Sequence, residues 1–294
     1  MNSSAIRPAN FTRRTHDLAG KLRRERRYGF LALYHMMRLS DFGREGIEHS
    51  GSYRFADHLY ANRASGRGWI GRIIDRVLLS LPAARAMRQR CGESTAAMQH
   101  AFAAHHTAHH AADPFRILTV PCGLPRDVRD FAARLHCENP AALEHIEYTG
   151  MDIDPEVIAA AHTFLAGSHA PSPQWVQGDA LDAASFPPGP FHFIASTGLG
   201  EFLDDAQLVT FYANVHRVLA PGGVFFTSAT AREPRSDAIL RAFELHTHYR
   251  TRADIERQLA QEPWRELRCT HDATGLQTFV HAVKQEIAIA PAGT

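Results

Sequence analysis

The residues of this 294-residue chain best suited to chemistry are glycines and carboxylates that follow short apolar runs. Residues 115–127, FRILTVPCGLPRD, carry Ile117, Leu118 and Val120 and then break at Pro121, Cys122 and Gly123. Val128, Phe131, Ala132 and Leu135 follow at i, i+3, i+4 and i+7, the spacing of one helix face. A buried strand, a tight turn and a helix are therefore expected. Such a turn offers backbone amides and a positive helix end to a nucleotide-like ligand. Asp152 closes a second expected strand, residues 146–151, ahead of Asp154, Pro155 and Glu156. Those three suit an N-cap, a first helical position and a first-turn acid. That leaves Asp152 to hold the two hydroxyls of a ribose in its fork of acceptors, or else to make a second turn contact. A third run, residues 175–177, ends in Gly178, Asp179 and Ala180.

Other suggestive spacings fail their structural requirements. Gly66, Gly68 and Gly71 match G-x-G-x-x-G, but no strand precedes them. A flexible loop feeding a helix is expected there, with Ser65 and Arg67 able to hold an anionic group. In HAFAAHHTAHH, residues 100–110, His105 with His109 and His106 with His110 are i, i+4 pairs. No glutamate lies between them and no third ligand is evident, so no metal is expected and a helix tail or linker is.

The elements that position these residues divide the chain in two. Residues 1–112 read as a helical N-terminal cap, 113–286 as a ligand-binding α/β domain, and 287–294 as a tail. Within the cap, Trp69, Ile70, Ile73, Ile74, Val77, Leu78 and Leu81 recur at helical spacing before Pro82. That helix is expected to pack against something. Residues 30–37 are the most apolar stretch near the N-terminus, too short to span a bilayer and without a signal-cleavage pattern, and a buried helix is expected.

From residue 115 strands and helices alternate. Further strands are expected at 191–196 and 224–228. A helix carrying Leu208, Phe211, Tyr212, Val215, Val218 and Leu219 should start near Asp204 or Asp205 and close at 221–223. A helix at 252–259 and a hairpin of 267–270 with 277–283 complete a mainly parallel α/β sheet.

Composition narrows the partners. Hydrophobic residues are 45%, charged residues 21% and the net charge is +1, which is ordinary globular usage. Locally, Arg7, Arg13, Arg14, Lys21, Arg23, Arg24, Arg26 and Arg27 face only Asp17 and Glu25. A solvated helix surface or N-terminal arm accounts for them; an acidic partner or a targeting segment are the alternatives. Cys91, Cys122, Cys137 and Cys269 lack paired spacing, so reduced thiols in a cytoplasmic protein are expected.

In this order, the turn at 121–125, Asp152 in GMDID, Gly178-Asp179-Ala180 and LAPGG at 219–223 resemble a class I S-adenosylmethionine-dependent methyltransferase. The resemblance covers roughly residues 113–284. TGLGEF at 197–202 is similar to a bacterial methyltransferase subgroup with a helical N-terminal extension. The resemblance implies a Rossmann-like seven-stranded sheet with a C-terminal antiparallel hairpin, and S-adenosyl-L-methionine as cofactor. Val120, Pro121, Cys122 and Gly123 would pass under its methionine part and ribose. Asp152 would hold the ribose, Ile153 would lie against the adenine, and Asp179 with Ala180 would meet the adenine amino group. Thr197 and Gly198 would line the cleft near the methyl group.

A small-molecule acceptor at oxygen, nitrogen or carbon is expected, with Glu201 and then Tyr249 as candidate catalytic groups. Tyr53, Tyr60, His246 and His248 stand behind them. Two departures stand out: Thr119 replaces the family's acid two residues before the turn, and Pro121 and Pro125 replace glycines, removing amide donors. These prolines motivate a non-catalytic interaction protein as an alternative, and the basic N-terminus a nucleic-acid methyltransferase. No acidic-Pro-Pro-aromatic motif supports the latter, and the strand-linked glycine fingerprint of a nicotinamide dehydrogenase is missing. No membrane partner is expected, and a homodimer is left open.

Overall fold

A computed structural model describes residues 17–49, 52–108, 113–243 and 247–286, with the side chains of Arg235 and Ala242 excepted. Arg7, Arg13, Arg14, His109, His110, His246 and the 287–294 tail lie outside the described residues. The chain begins with helices α1 (Leu18–Arg24), α2 (Tyr28–Met37), α3 (Asp41–Glu48), α4 (Tyr53–Ala61), α5 (Gly68–Ser80) and α6 (Pro82–Ala108). The alternating part follows as β1 (Phe115–Thr119), α7 (Arg126–Glu138), β2 (Ile146–Asp152), α8 (Pro155–Leu165), β3 (Gln174–Gln177) and β4 (Phe191–Ser196). It continues with α9 (Asp205–Val218), β5 (Leu219–Thr230), α10 (Pro234–Ala242), α11 (Arg252–Leu259), β6 (Trp264–His271) and β7 (Gln277–Lys284).

The seven strands form one sheet in the order β3-β2-β1-β4-β5-β7-β6. Strands β1 to β5 run parallel, and β7 enters antiparallel between β5 and β6. Successive strand residues point to opposite faces, so each strand feeds two cores. Leu118, Ile194 and Phe225 join Phe211 and Tyr212 of α9 on one side. Ile117, Phe193 and Phe226 join Phe131 of α7 and Phe102 of α6 on the other. Helix α6 thus runs from the cap onto the sheet, where Ala97, Met98, Ala101 and Phe102 fill the second core. The strand order reverses between β1 and β4, the switch point at which an open α/β sheet leaves a crevice above its carboxyl ends.

Several boundaries differ from expectation for identifiable reasons. Helix α9 starts behind the Asp204 capping box with Gln207, as the sequence suggests, but ends at Val218. Leu219 to Gly223 belong to β5, because Leu219 pairs with Phe191 of β4. Helix α10 is absent from the sequence reading. Between α7 and β2 lies a 3-10 turn, Pro140–His145. Helix α2 has no fully buried residue, and Phe30, Leu31, Leu33, Tyr34 and Met37 only half-cover themselves against Leu18, Leu22, Ile47 and Phe243. Helix α5 packs as expected, through Leu78 and Leu79 against Phe42, Leu59 and Ala84, but most of its apolar residues do not take part. Its buried positions are Gly71, Asp75 and Leu79, whereas Trp69, Ile70, Ile73, Val77 and Leu81 stand exposed.

Asp75 explains that orientation. Its fully buried carboxylate accepts from the Phe42 amide at 3.3 Å, the Ser65 amide at 2.8 Å, the Gly66 amide at 2.7 Å and the Ser40 hydroxyl. A charge is removed from water only when such donors surround it, and four of them pull the Asp75 side of α5 inward. The loop amides at Ser65 and Gly66 are consumed by this contact, so the glycine motif there serves packing. A Cβ on Gly66 would stand 2.4 Å from the Gly71 carbonyl oxygen, and one on Gly71 2.2 Å from that of Leu39.

Candidate functional site

The strand ends, the turns after them and the inner side of the cap enclose a cavity of about 1460 Å³. Val120, Pro121, Cys122, Gly123, Asp152, Ile153, Asp179, Ala180, Thr197 and Gly198 all line it, as do Glu201 and Tyr249. Among the weaker candidates, Tyr53 and Tyr60 line it too, whereas His248 is exposed and is not part of the lining.

The turn after β1 is built differently from a glycine-rich one. Gly123 holds φ +48°, a left-handed conformation that glycine adopts without steric cost. A Cβ added there would meet nothing within 4 Å, so the space above the turn is open. The Cys122 amide donates to the Met151 carbonyl at 2.8 Å and the Gly123 amide to Asp152 Oδ2 at 3.3 Å. These two amides therefore bind the turn to β2. Thr119, at the expected acid position, shares a 2.7 Å hydrogen bond with the Tyr148 hydroxyl, both side chains being buried. That position is thereby satisfied inside the sheet.

Asp152 is 6% exposed. Besides Gly123, it accepts the Asp154 amide on Oδ1 at 3.1 Å, so the turn contact named as its alternative duty is present. Burial raises its pKa above the ordinary carboxylate value, the amides of Asp154 and Gly123 oppose that, and nearby Asp154 adds to it. A carboxylate offers about four acceptor directions, so two amides leave room for a diol. Ile153, next in sequence, is a large apolar side chain 40% exposed. Asp179 accepts the Leu181 amide at 2.9 Å, a turn contact of the same kind. An acidic fork, an exposed apolar plate and a second carboxylate in the turn after the next strand fit an adenosine.

At the other end of the cavity a buried cation joins cap to sheet. Arg90 of α6, 4% exposed, donates from Nε at 3.2 Å and Nη2 at 3.0 Å to the Tyr60 hydroxyl. Its Nη1 lies 3.4 Å from Glu201 Oε1, which also accepts the Thr230 hydroxyl at 2.5 Å. Burial alone would lower the Arg90 pKa, but Tyr60 and Glu201 outweigh it and the group is held charged. A Cβ on Gly198 would come within 3.1 Å of the same guanidinium. The Tyr249 phenol is pushed up by burial and by Asp237, its hydrogen-bond partner.

Sequence reasoning missed Arg90, and it missed Arg250. Arg250, 5% exposed, donates to the carbonyls of Gly200 and Leu203 and to Asp205, and so shapes the loop that carries Glu201. Nothing local distinguishes either arginine from the many on the surface; their roles arise from partners 111 and 50 positions away. Asp57 of α4 with Arg126 of α7, and Ser94 with Asp127 at 2.6 Å, complete the cap-to-sheet contacts.

Of the two histidine pairs, His109 and His110 lie outside the described residues. His105 meets Asp113 and His192 outside the cavity, their potential ligand atoms within 4.8 Å of one another. The His192 Nδ1 of that group accepts the Arg116 amide at 3.0 Å.

Residues 117–223 match the family model of a methyltransferase domain. No curated protein matches the chain in sequence. Among solved structures, a possible exported protein from Bordetella parapertussis is similar at 21% identity and TM-score 0.73, covering 91% of this chain and 95% of its own. The likeness at that identity is one of fold. More distant are magnesium protoporphyrin IX methyltransferase from Synechocystis PCC 6803 (11% identity, 78% and 93% coverage, TM-score 0.48) and N-methyltransferase NodS from Bradyrhizobium japonicum WM9 (17%, 80% and 98%, TM-score 0.47).

Proposed function

We propose that this protein, whose residues 117–223 match a methyltransferase-domain family model and lie on a seven-stranded sheet, transfers a methyl group from S-adenosylmethionine to an oxygen, nitrogen or carbon of a small-molecule acceptor. The observation that carries the reading is the convergence of all ten candidate cofactor residues, from four separate turns, on one chamber. Its volume of about 1460 Å³ exceeds the roughly 300–1,000 Å³ of single-ligand pockets, leaving space for an acceptor beside the cofactor.

In this reading Asp152 holds the ribose hydroxyls, Ile153 covers one face of the adenine, and Asp179 with Ala180 meets its amino edge. Val120 to Gly123 form the floor. When bound, the cofactor supplies a methyl group already activated by its sulfonium. The protein's task is then to align the nucleophile with the methyl carbon and exclude water. Thr197 and Gly198 border that alignment, with Arg90 against Gly198 limiting its width. Glu201 and Tyr249 are the candidates to orient the acceptor. With Arg90 and Thr230 on its carboxylate, Glu201 is better suited to accept a hydrogen bond than to remove a tightly held proton. The cap, through Tyr53, Tyr60 and Met87, selects the acceptor. The cysteines are free, as a reducing cytoplasm would keep them.

Thermal melts with S-adenosylmethionine, S-adenosylhomocysteine and NAD test the cofactor. A ligand bound only by the folded state adds about 2.7 kcal/mol at roughly 100 times its Kd, so both adenosyl compounds should raise Tm, and Asp152→Ala should diminish the rise. A shift with NAD alone, or no shift with any of the three, overturns the proposal.

A further inference from the structure

Helix α5 turns its most apolar surface away from the protein. Trp69 is 72% exposed, Val77 55%, Ile70 and Ile73 47% each, and Leu81 44%. At about 100° per residue, Trp69, Ile70, Ile73 and Val77 share one arc of roughly 100°, and Arg72 and Arg76 border it. Leu81 continues the strip past the helix end. The exposed charge along this segment has one sign. Between His58 and Gly92 the chain holds seven arginines, Arg63, Arg67, Arg72, Arg76, Arg85, Arg88 and Arg90, and a single acid, Asp75. Asp75 is fully buried, whereas Arg63, Arg67, Arg72, Arg76 and Arg85 are exposed.

We propose that this face of the cap docks on an anionic lipid surface, with α5 lying in the plane of the interface. A tryptophan and branched aliphatic side chains flanked by arginines suit the boundary between headgroups and acyl chains, where the rings and methyls leave water and the guanidiniums meet phosphates. A second copy of the chain is a poorer occupant. A two-fold contact would set the same arginines against each other with no exposed acid of this segment to offset them. Nucleic acid would satisfy the arginines and leave Ile70, Ile73 and Val77 in water. Among the described residues no helix is long and apolar enough to cross a membrane; lying on one is a separate arrangement that needs only one apolar face. Leu81 also lines the central cavity, as do Leu78 and Ala84. Docking would therefore bring the cap side of that chamber close to the bilayer. The inference does not depend on methyl transfer.

Co-sedimentation of the full chain with phosphatidylcholine vesicles, with and without phosphatidylglycerol, tests it at low and high salt. The protein should pellet with the anionic vesicles and be released by salt. Arg72→Gln and Arg76→Gln should each weaken binding about fivefold, since a basic residue near an anionic surface contributes about that factor. Ile73→Glu and Val77→Glu, both at exposed positions, should abolish pelleting while leaving Tm unchanged. Wild type remaining in the supernatant with anionic vesicles at low salt overturns the proposal, as does undiminished binding by both glutamate variants. Light scattering that finds a wild-type dimer, split by Ile73→Glu, would assign the face to a second copy and also overturn it.

Discussion

Asp152 does two things at once, and its chemistry is sensitive to pH for that reason. Its carboxylate fastens the β1 turn through Gly123 while facing the cavity, and burial raises its pKa. Ribose hydroxyls bind best to the ionised form, because an ionised acceptor makes the stronger hydrogen bond. Affinity for S-adenosylhomocysteine should therefore fall as pH drops into the acid range, beginning at a higher pH than for an ordinary carboxylate near 4. Calorimetric titration from neutral pH downward checks this. In Asp152→Asn the affinity should be lower throughout and that part of the pH dependence lost. The identity and strand-end position of Asp152, Asp179 and Gly123 were legible in the sequence, because a polar or glycine break after an apolar run is a local signal. That the two prolines would leave a turn whose Cys122 and Gly123 amides are spent on β2 was not, since those acceptors, Met151 and Asp152, come from a different strand.

At the level of elements, the cap hangs on a few buried polar contacts. Asp75 is surrounded by donors from two segments: Ser40 and Phe42 at the start of α3, and the 65–66 loop. Asp75→Ala should strip these groups of their acceptor and destabilise the cap on the order of 3 kcal/mol, given that hydrogen bonds to charged groups contribute about 1.5–3 kcal/mol each and exposed Ser65 can turn to water. Urea titration measures the loss, and faster amide exchange at Ser65 and Gly66 would locate it. The helical spacing of 69–81 foretold a helix but not which side would turn inward. Periodicity identifies which residues share a side, but a buried aspartate with four donors outweighed the aliphatic stripe in deciding which side turns inward. The same fact leaves that stripe outside.

For the molecule as a whole, strand β7 couples stability to pH. His281 lies between β5 and β6, opposite Phe226 and Arg268, with His100 of α6 nearby. Burial first, then Arg268 and His100, lowers its pKa from 6.5 to about 4. The unfolded chain therefore binds a proton there before the folded one does, so the stability His281 contributes is complete above about 6.5 and is lost as pH falls toward about 4. Urea midpoints measured across that window should decline, and less steeply in His281→Gln.

The sequence by itself determined the α/β class, the succession of five parallel strands and a closing hairpin, the capping of α8 and α9, and the residues standing at the strand ends. Each of these rests on neighbours within a few positions, where periodicity, capping and turn chemistry act. Tertiary structure alone decided that α6 would run from the cap into the second core, that Arg90 would reach Tyr60 and Glu201, that Arg250 would shape the 200–205 loop, and that α5 would face outward. Burial and ion pairing join residues far apart in the chain, and a guanidinium or carboxylate acquires its role only from the groups that folding brings to it.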